Sequence, residues 1–220
     1  QDARVGRLMQ VVRQARRQSL RSDQLAARLR SELQDSTGDP GAGSRKDTIA
    51  VYTAITGDYD VLQPPLTISE GCSYICFTDN PNLTSDVWDI RPLPHLTDDA
   101  VLRSKLPKLL PHLLLPEYDV SVWVDGNFTI RGDLGRLARV VLQGHSVAMF
   151  RHPENRRSVD DEARACVELG KEDATVVSEQ LQGYRAKGFP GVASPAAGVI
   201  FRRHNDPHVI RAMEDWWREV

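Results

Sequence analysis

The sequence VSVWVDGNF, residues 120–128, is an apolar β-branched run that passes directly into Asp125-Gly126-Asn127. Such a run predicts a buried strand that ends in an acidic turn. Asp125 and Asn127 carry oxygen atoms two residues apart. Both side chains can therefore reach one hard cation, which takes oxygen ligands and often bridges to phosphates. Asp-Gly-Asn is also a common turn tripeptide, and a purely structural turn is the alternative interpretation.

Outward from this strand, strand-like runs alternate with helical patterns. Strands are predicted over 48–56, 72–79, 87–93, 120–126, 146–152 and 196–204. Helices are predicted over 101–115, interrupted by Pro107 and Pro111, and over 133–143, 158–170, 173–188 and 206–220. This alternation is typical of an α/β domain with a largely parallel sheet covered on both faces. Ligands of such sheets bind outside the carboxyl ends of the strands.

The first 47 residues differ from the rest of the chain. Residues 1–34 contain no proline and follow a 3-4 spacing of mostly apolar positions, which predicts an N-terminal helix. That helix could pack on the main domain or a neighbouring chain, form a homo-oligomeric coiled coil, or lie on an anionic membrane surface. Residues 35–47, DSTGDPGAGSRKD, predict a flexible linker. The main domain is then expected over 48–220.

Composition excludes several classes of function. A net charge of -2, from 28 Lys and Arg against 30 Asp and Glu, argues against a nucleic-acid partner bound through bulk charge. No apolar stretch approaches the ~20 residues that span a bilayer. The three cysteines form no CxxC pair, so Cys72 and Cys76 are expected to be buried reduced thiols. We therefore expect a cytoplasmic location, at most peripheral to the inner face of a membrane.

Several polar residues are predicted near the carboxyl ends of the strands. Asp79 follows the second strand and could accept hydrogen bonds from a base or ribose, or could be a loop residue without a role. Lys105 and Lys108 share a helix face and could compensate a diphosphate, although a solvated basic face is the alternative. Arg202 could face either phosphate or solvent. A bound nucleotide would lie against the end of the first strand, at Thr53, Ala54, Gly57 and Tyr59.

The order of these motifs resembles a known family. VYTAITGDYD, CFTDN, KLLPHLLLPEYDVSVWVDGNF, FRHPENRRSVDDEA, QLQGYRAKGFP and GVIFRRHN resemble the TOD/MUCI-type glycosyltransferase-like domain over roughly residues 48–220. The wider resemblance is to GT-A glycosyltransferases of the glycogenin-like kind. It implies a GT-A-like, Rossmann-like fold, with a mixed, mainly parallel sheet flanked by helices and preceded by the N-terminal helix. It also implies a nucleotide-sugar donor and Mn²⁺ or Mg²⁺ as cofactor.

The resemblance assigns roles to particular residues. Asp125 and Asn127 match the metal-binding Asp-x-Asp motif, with Asp125 also catalytic, but Asn127 lacks the second negative charge. The cation would then bind weakly or need a third ligand from later in the chain. His152 and Glu162 match family positions for orienting the acceptor or acting as a base. Gln180 matches a helix that presents polar groups to the donor sugar.

The function expected from residues and resemblance together is a metal-dependent glycosyltransferase. A UDP-sugar is the favoured donor, and the acceptor would be a glycan or cell-envelope polysaccharide. The family pattern continues past Trp216-Trp217, so we expect the domain to extend beyond this sequence. A catalytically degenerate module that binds a glycan or a partner is the main alternative. A ceramidase-like lipid amidase is a minor one, because the sequence has no GxSxG or HExxH motif.

Overall fold

A computed structural model describes residues 47–57, 59–94, 99–152, 158–191 and 195–219. The predicted helix over 1–34 and nearly all of the predicted linker lie outside these ranges. The first strand begins at Ile49.

The described elements form a six-stranded sheet with flanking helices. The strands are β1 (Ile49–Ile55), β2 (Cys72–Thr78), β3 (Asp89–Pro92), β4 (Val120–Val124), β5 (Val147–Arg151) and β6 (Pro195–Arg202). The helices are α1 (Ala100–Leu109), α2 (Pro111–Leu114), α3 (Leu134–Val141), α4 (Val159–Glu168), α5 (Ala174–Ala186) and α6 (Pro207–Arg218). The sheet order is β3-β2-β1-β4-β6-β5. It is mixed and mostly parallel, which confirms the predicted α/β fold class.

The register of the central strands places their carboxyl ends at one level. β1 pairs in parallel with β2 and with β4, and Tyr52 is level with Ile75 on one side and Trp123 on the other. The loops that follow these three strands therefore meet at the same edge of the sheet. The strands are buried because covering helices remove both faces from water, as their near-continuous apolar runs require.

The chain divides into two compact units. The first holds the described residues up to 148 and from 200 onward. Its core combines the central strands with apolar stripes on two helices, at a spacing that places each stripe on one helix face. These stripes are Leu102, Leu106 and Leu109 on α1, and Val209, Met213 and Trp217 on α6.

The second unit comprises residues 149–199 and includes α4 and α5. The Ser158 hydroxyl accepts from the Asp161 N–H while the Asp161 carboxylate accepts from the Ser158 N–H, which forms a capping box at the start of α4. The Asp173 carboxylate accepts from the backbone N–H groups of Thr175 and Val176 at the start of α5. These hydrogen bonds lower the pKa of Asp173. The two helix starts are thus fixed by local sequence.

Two sequence expectations need correction. The predicted interruption at Pro107 is wrong, because α1 continues through Pro107 and ends at Leu109, before Pro111. Apolar packing of Leu106 and Leu109 compensates for the proline. The three cysteines form no disulfide, but only Cys76 is buried while Cys72 is half-buried. Burial raises the pKa of the Cys76 thiol to about 12.

Candidate functional site

A cavity of about 640 Å³ opens at the carboxyl ends of β1, β2 and β4, within the first unit. This volume lies in the range of small-molecule binding sites. The ends of the three strands, the loops after them and α1 all contribute side chains. The lining residues are Ala54, Thr56, Gly57, Tyr59, Asp60, Asp79, Arg103, Ser104, Lys105, Lys108, Trp123, Asp125, Gly126 and Asn127.

Asp125 directly follows β4, and two hydrogen bonds orient its side chain. The Lys108 ammonium donates to Oδ1 at 2.9 Å and the Trp123 indole Nε1–H donates to the same oxygen at 2.6 Å. The ammonium also lies 5.7 Å from the centre of the Trp123 ring, a cation–π contact. Because both contacts use Oδ1, Oδ2 is the oxygen of Asp125 that a ligand can engage.

Asp79, which follows β2, links the loop after β1 to α1 beside the cavity. Its Oδ1 accepts from the backbone N–H of Gly57 at 3.0 Å, and its Oδ2 forms an ion pair with Arg103 of α1. Each carboxylate oxygen has a second lone pair, so a ligand hydroxyl can still donate to Asp79. The structure therefore gives Asp79 an organising role, and its predicted contact with a base or ribose stays a prediction.

Gly126 allows the turn after β4 to approach the end of β1. A Cβ at this position would lie 2.8 Å from Ile55 Cδ1, 3.1 Å from Asp60 Oδ2 and 3.3 Å from the Ala54 carbonyl. Only glycine fits without displacing these groups. The close approach brings the Asp60 carboxylate beside the Asp125-Gly126-Asn127 turn.

The cavity brings charges of both signs together. Arg103, Lys105 and Lys108 come from one helix, whereas the carboxylates of Asp60 and Asp125 come from the loops after β1 and β4. Negative groups of a ligand can pair with the α1 cations, while a cation can pair with the carboxylates. The arrangement suits a ligand that is itself an anion bound together with a cation.

The donor set fits a hard divalent cation. Within the described ranges, no group of three or more His, Cys, Asp or Glu residues could hold a metal ion. Three carboxylates line the cavity, and Asp79 is already engaged by Gly57 and Arg103. The other two, Asp60 and Asp125, lie there with the amide of Asn127. Mg²⁺ typically keeps several waters and binds through one or two carboxylates plus the phosphates of its substrate. Asp60, Asp125 and Asn127 would hold such an ion together with a phosphate-bearing ligand.

The cavity gathers most of the donor and metal residues that the sequence predicts. Thr53 differs, because its side chain is buried within β1. The predicted residues that line the cavity are Ala54, Gly57, Tyr59, Asp79, Lys105, Lys108, Asp125 and Asn127. Their roles in binding stay predictions.

The remaining predicted residues belong to the second unit. His152 Nε2 lies 3.9 Å from a carboxylate oxygen of Glu162, and the Cys166 thiol lies 3.8 Å from the other oxygen. The Gln180 amide donates to the Tyr184 hydroxyl at 2.8 Å. The predicted roles of His152, Glu162 and Gln180 stay predictions.

Sequence reasoning missed several lining residues. Asp60 stands next to Tyr59 after the first strand, so the signal that selected Tyr59 could have found it. Arg103 lies on the same helix as the two predicted lysines. The sequence places Trp123 only in a buried strand, and nothing in it distinguishes the indole as a donor to Asp125. Thr56, Ser104 and Gly126 complete the set.

The cavity lies at the carboxyl edge of a mostly parallel α/β sheet, beside the acidic turn that follows β4. A family model of the TOD1/MUCI70 glycosyltransferase-like domain matches residues 83–204, more than half of the chain. The chain belongs to this family, as its motifs predict. A comparison with curated proteins gave no match. No helix in the described part of the chain has the length and apolarity to cross a membrane.

Proposed function

We propose that this protein is a glycosyltransferase that binds a nucleotide-sugar donor in the cavity at the carboxyl ends of β1, β2 and β4. The observation that carries the proposal is the convergence of Asp125, Asn127 and Asp60 with the cationic face of α1 in that one cavity. Family membership supports a glycosyltransferase-like role, and the geometry supports this location for the donor. The donor we favour is a UDP-sugar, and the acceptor a glycan or polysaccharide.

Two groups of residues would bind the diphosphate, one through a cation and one through positive side chains. Asp60, Asp125 and Asn127 would hold Mn²⁺ or Mg²⁺, and the bound cation would neutralise charge that develops on the leaving diphosphate. Asp60 supplies the second carboxylate that Asn127 lacks, from earlier in the chain rather than later. Lys105 and Lys108 would add positive charge beside the same phosphates, which would lower the barrier to their departure.

Two further groups would orient the nucleoside. Tyr59 is 90% exposed and lines the cavity, so its ring is available to stack on a base. The Asp79 carboxylate, fixed by Arg103 and Gly57, would accept a hydrogen bond from a ribose hydroxyl. Proximity and orientation of the donor would then contribute to the rate.

Calorimetric titration tests the proposal. UDP and GDP are titrated with and without Mn²⁺ into the wild-type protein and the Asp125→Asn variant, which keeps the size of the side chain but removes its charge. We expect the wild type to bind nucleotide in a metal-dependent manner. We expect the affinity of the variant to be lower by about 10- to 100-fold. Comparison of UDP with GDP identifies the preferred base.

Asp86→Asn is the matched control, because Asp86 is an exposed aspartate outside the cavity lining. It should bind as the wild type does. Binding of neither nucleotide under any condition would contradict the proposal and favour a degenerate module. Binding that is insensitive to Asp125→Asn would show that the nucleotide occupies another place.

A further inference from the structure

Arg202 is a fully buried arginine on β6, with a side chain that is 0% exposed. Its Nη1 donates to the Lys108 carbonyl at 2.7 Å and contacts the Met213 sulfur at 3.2 Å, and its Nη2 donates to the Tyr52 hydroxyl. Among the described residues it forms no ion pair with a carboxylate. An arginine stays charged even when burial lowers its pKa, as it does here. Without an ion pair, the buried charge depends on its hydrogen bonds to neutral acceptors, here the Lys108 carbonyl and the Tyr52 hydroxyl.

The contacts of Arg202 and Tyr52 lie at the carboxyl end of α1. Pro111 has no N–H, so the Pro107 carbonyl lacks the donor that a continuing helix would supply. The Tyr52 hydroxyl donates to this carbonyl at 3.1 Å, and burial raises the pKa of Tyr52 to about 12, which keeps the proton in place. Arg202 donates to the next carbonyl, that of Lys108. A cation at a helix carboxyl end is favourable because it opposes the helix dipole.

Arg202 and Tyr52 together support both groups that donate to Asp125. Arg202 fixes the backbone of Lys108, whose ammonium bonds Asp125 Oδ1. The Tyr52 ring packs edge-on against Trp123, with centroids 5.2 Å apart and planes at 69°, and the Trp123 indole bonds the same oxygen. We propose that Arg202 is a positioning residue that acts through Tyr52 and the end of α1 to orient Lys108 and Trp123 around Asp125. The inference deepens the proposed function, and its effect on ligand binding rests on that function.

The first test needs no ligand. The Trp123 indole N–H resonance is followed by NMR after ¹⁵N-tryptophan labelling and is assigned with Trp123→Phe. We expect Arg202→Met and Tyr52→Phe to move this resonance toward that of an indole without a carboxylate partner. Tyr52→Phe keeps the ring and removes one hydroxyl, so it provides the result if Arg202→Met does not fold. Phe201→Leu, a buried neighbour on β6 whose side chain points to the other face of the sheet, should leave the resonance in place.

The second test separates positioning from general destabilisation. UDP affinity with Mn²⁺ is measured for Arg202→Met, for Lys108→Met and for the double variant. Tyr52→Phe takes the place of Arg202→Met if the latter does not fold. If Arg202 acts in part through Lys108, its substitution weakens binding about tenfold in the wild-type background and by a smaller factor when Lys108 is already changed. A purely structural role would give the same loss in both backgrounds.

The outcomes separate this inference from the proposed function. An unchanged Trp123 resonance in both Tyr52→Phe and Arg202→Met would overturn the inference, and so would equal losses of affinity in the two backgrounds. A wild-type protein that binds no UDP would contradict the proposed donor. The resonance test would then still decide whether Arg202 orients the groups around Asp125.

Discussion

At the scale of single residues, Gly126 is the point where the candidate site tolerates least change. Its φ is not in the left-handed region, so the restriction comes from space and not from backbone strain. Gly126→Ala would force Ile55, which is buried, or the turn itself to move. We expect a loss of about 1–3 kcal/mol in the free energy of unfolding, measured by urea denaturation. Weaker binding of the proposed nucleotide ligand should accompany the loss, because Asp125 and Asn127 flank the displaced residue.

Gly132→Ala is the matched control for this prediction. A Cβ at Gly132 meets nothing within 4 Å, and the residue has no positive φ. The control should therefore change stability by no more than about 0.5 kcal/mol. If Gly126→Ala is equally neutral, the turn after β4 is looser than the structure indicates, and the close approach of Asp60 to that turn is not required.

At the scale of secondary structure elements, α5 contains a helical glycine that packing does not require. Gly183 lies within Ala174–Ala186, and a Cβ added there meets nothing within 4 Å. Alanine is favoured over glycine in a helix interior by about 0.8–1.0 kcal/mol. Gly183→Ala should therefore stabilise the second unit, measured as slower amide hydrogen exchange along α5.

Gly188 provides the contrasting substitution just beyond the same helix. Its φ is +76°, a conformation that alanine adopts only with strain. Gly188→Ala should accelerate exchange in the last turn of α5, although space around the two glycines is equally open. Opposite signs for the two variants would show that backbone conformation, and not contact, distinguishes them. Changes in exchange rate in the same direction would contradict the end of α5 at Ala186.

At the scale of the whole molecule, His204 makes stability depend on pH. It is fully buried after β6, and its Nε2–H donates to the Leu115 carbonyl at 2.8 Å. Burial is the main cause that lowers its pKa to about 4; the positive charge of Arg202 also lowers it, while the Leu115 hydrogen bond and the carboxylates of Glu117 and Asp119 act in the opposite direction. The native state therefore keeps His204 neutral where the unfolded chain binds a proton.

The direction of this pH dependence follows from the difference in proton binding between the native and unfolded states. Between the unfolded pKa of about 6.5 and the native value, the unfolded state holds the extra proton, so stability falls as pH decreases through this window and is fully present above it. Urea denaturation from pH 7.5 to 4.5 should show a steeper loss for the wild type than for His204→Gln, by about 1–3 kcal/mol over the range. Parallel curves for the two proteins would contradict the assignment.

The alternation of strands and helices was readable from local sequence. β1 and β4 are apolar β-branched runs, and α3, α4 and α5 each begin at a polar residue whose side chain accepts from the first turn. Those signals are local, so sequence alone places the elements to within a few residues. The effect of Pro107 cannot be predicted locally, because α1 packs on β1 and on α6, and these buried contacts outweigh the local effect of the proline.

The α/β class, the family and the acidic turn at Asp125 and Asn127 can be predicted from sequence, because each depends on residue types at short spacing. The groups that surround that turn depend on tertiary packing. Asp60 lies in the loop after β1 and Arg103 lies on α1, and both line the same cavity. Parallel pairing of β1 with β2 and β4 brings the carboxyl ends of these strands together at that cavity. The burial of Arg202 could not be predicted either, because an arginine near a strand end has the same local sequence pattern whether it faces solvent or the core. Contacts between residues distant in the chain depend on packing, and no local pattern encodes them.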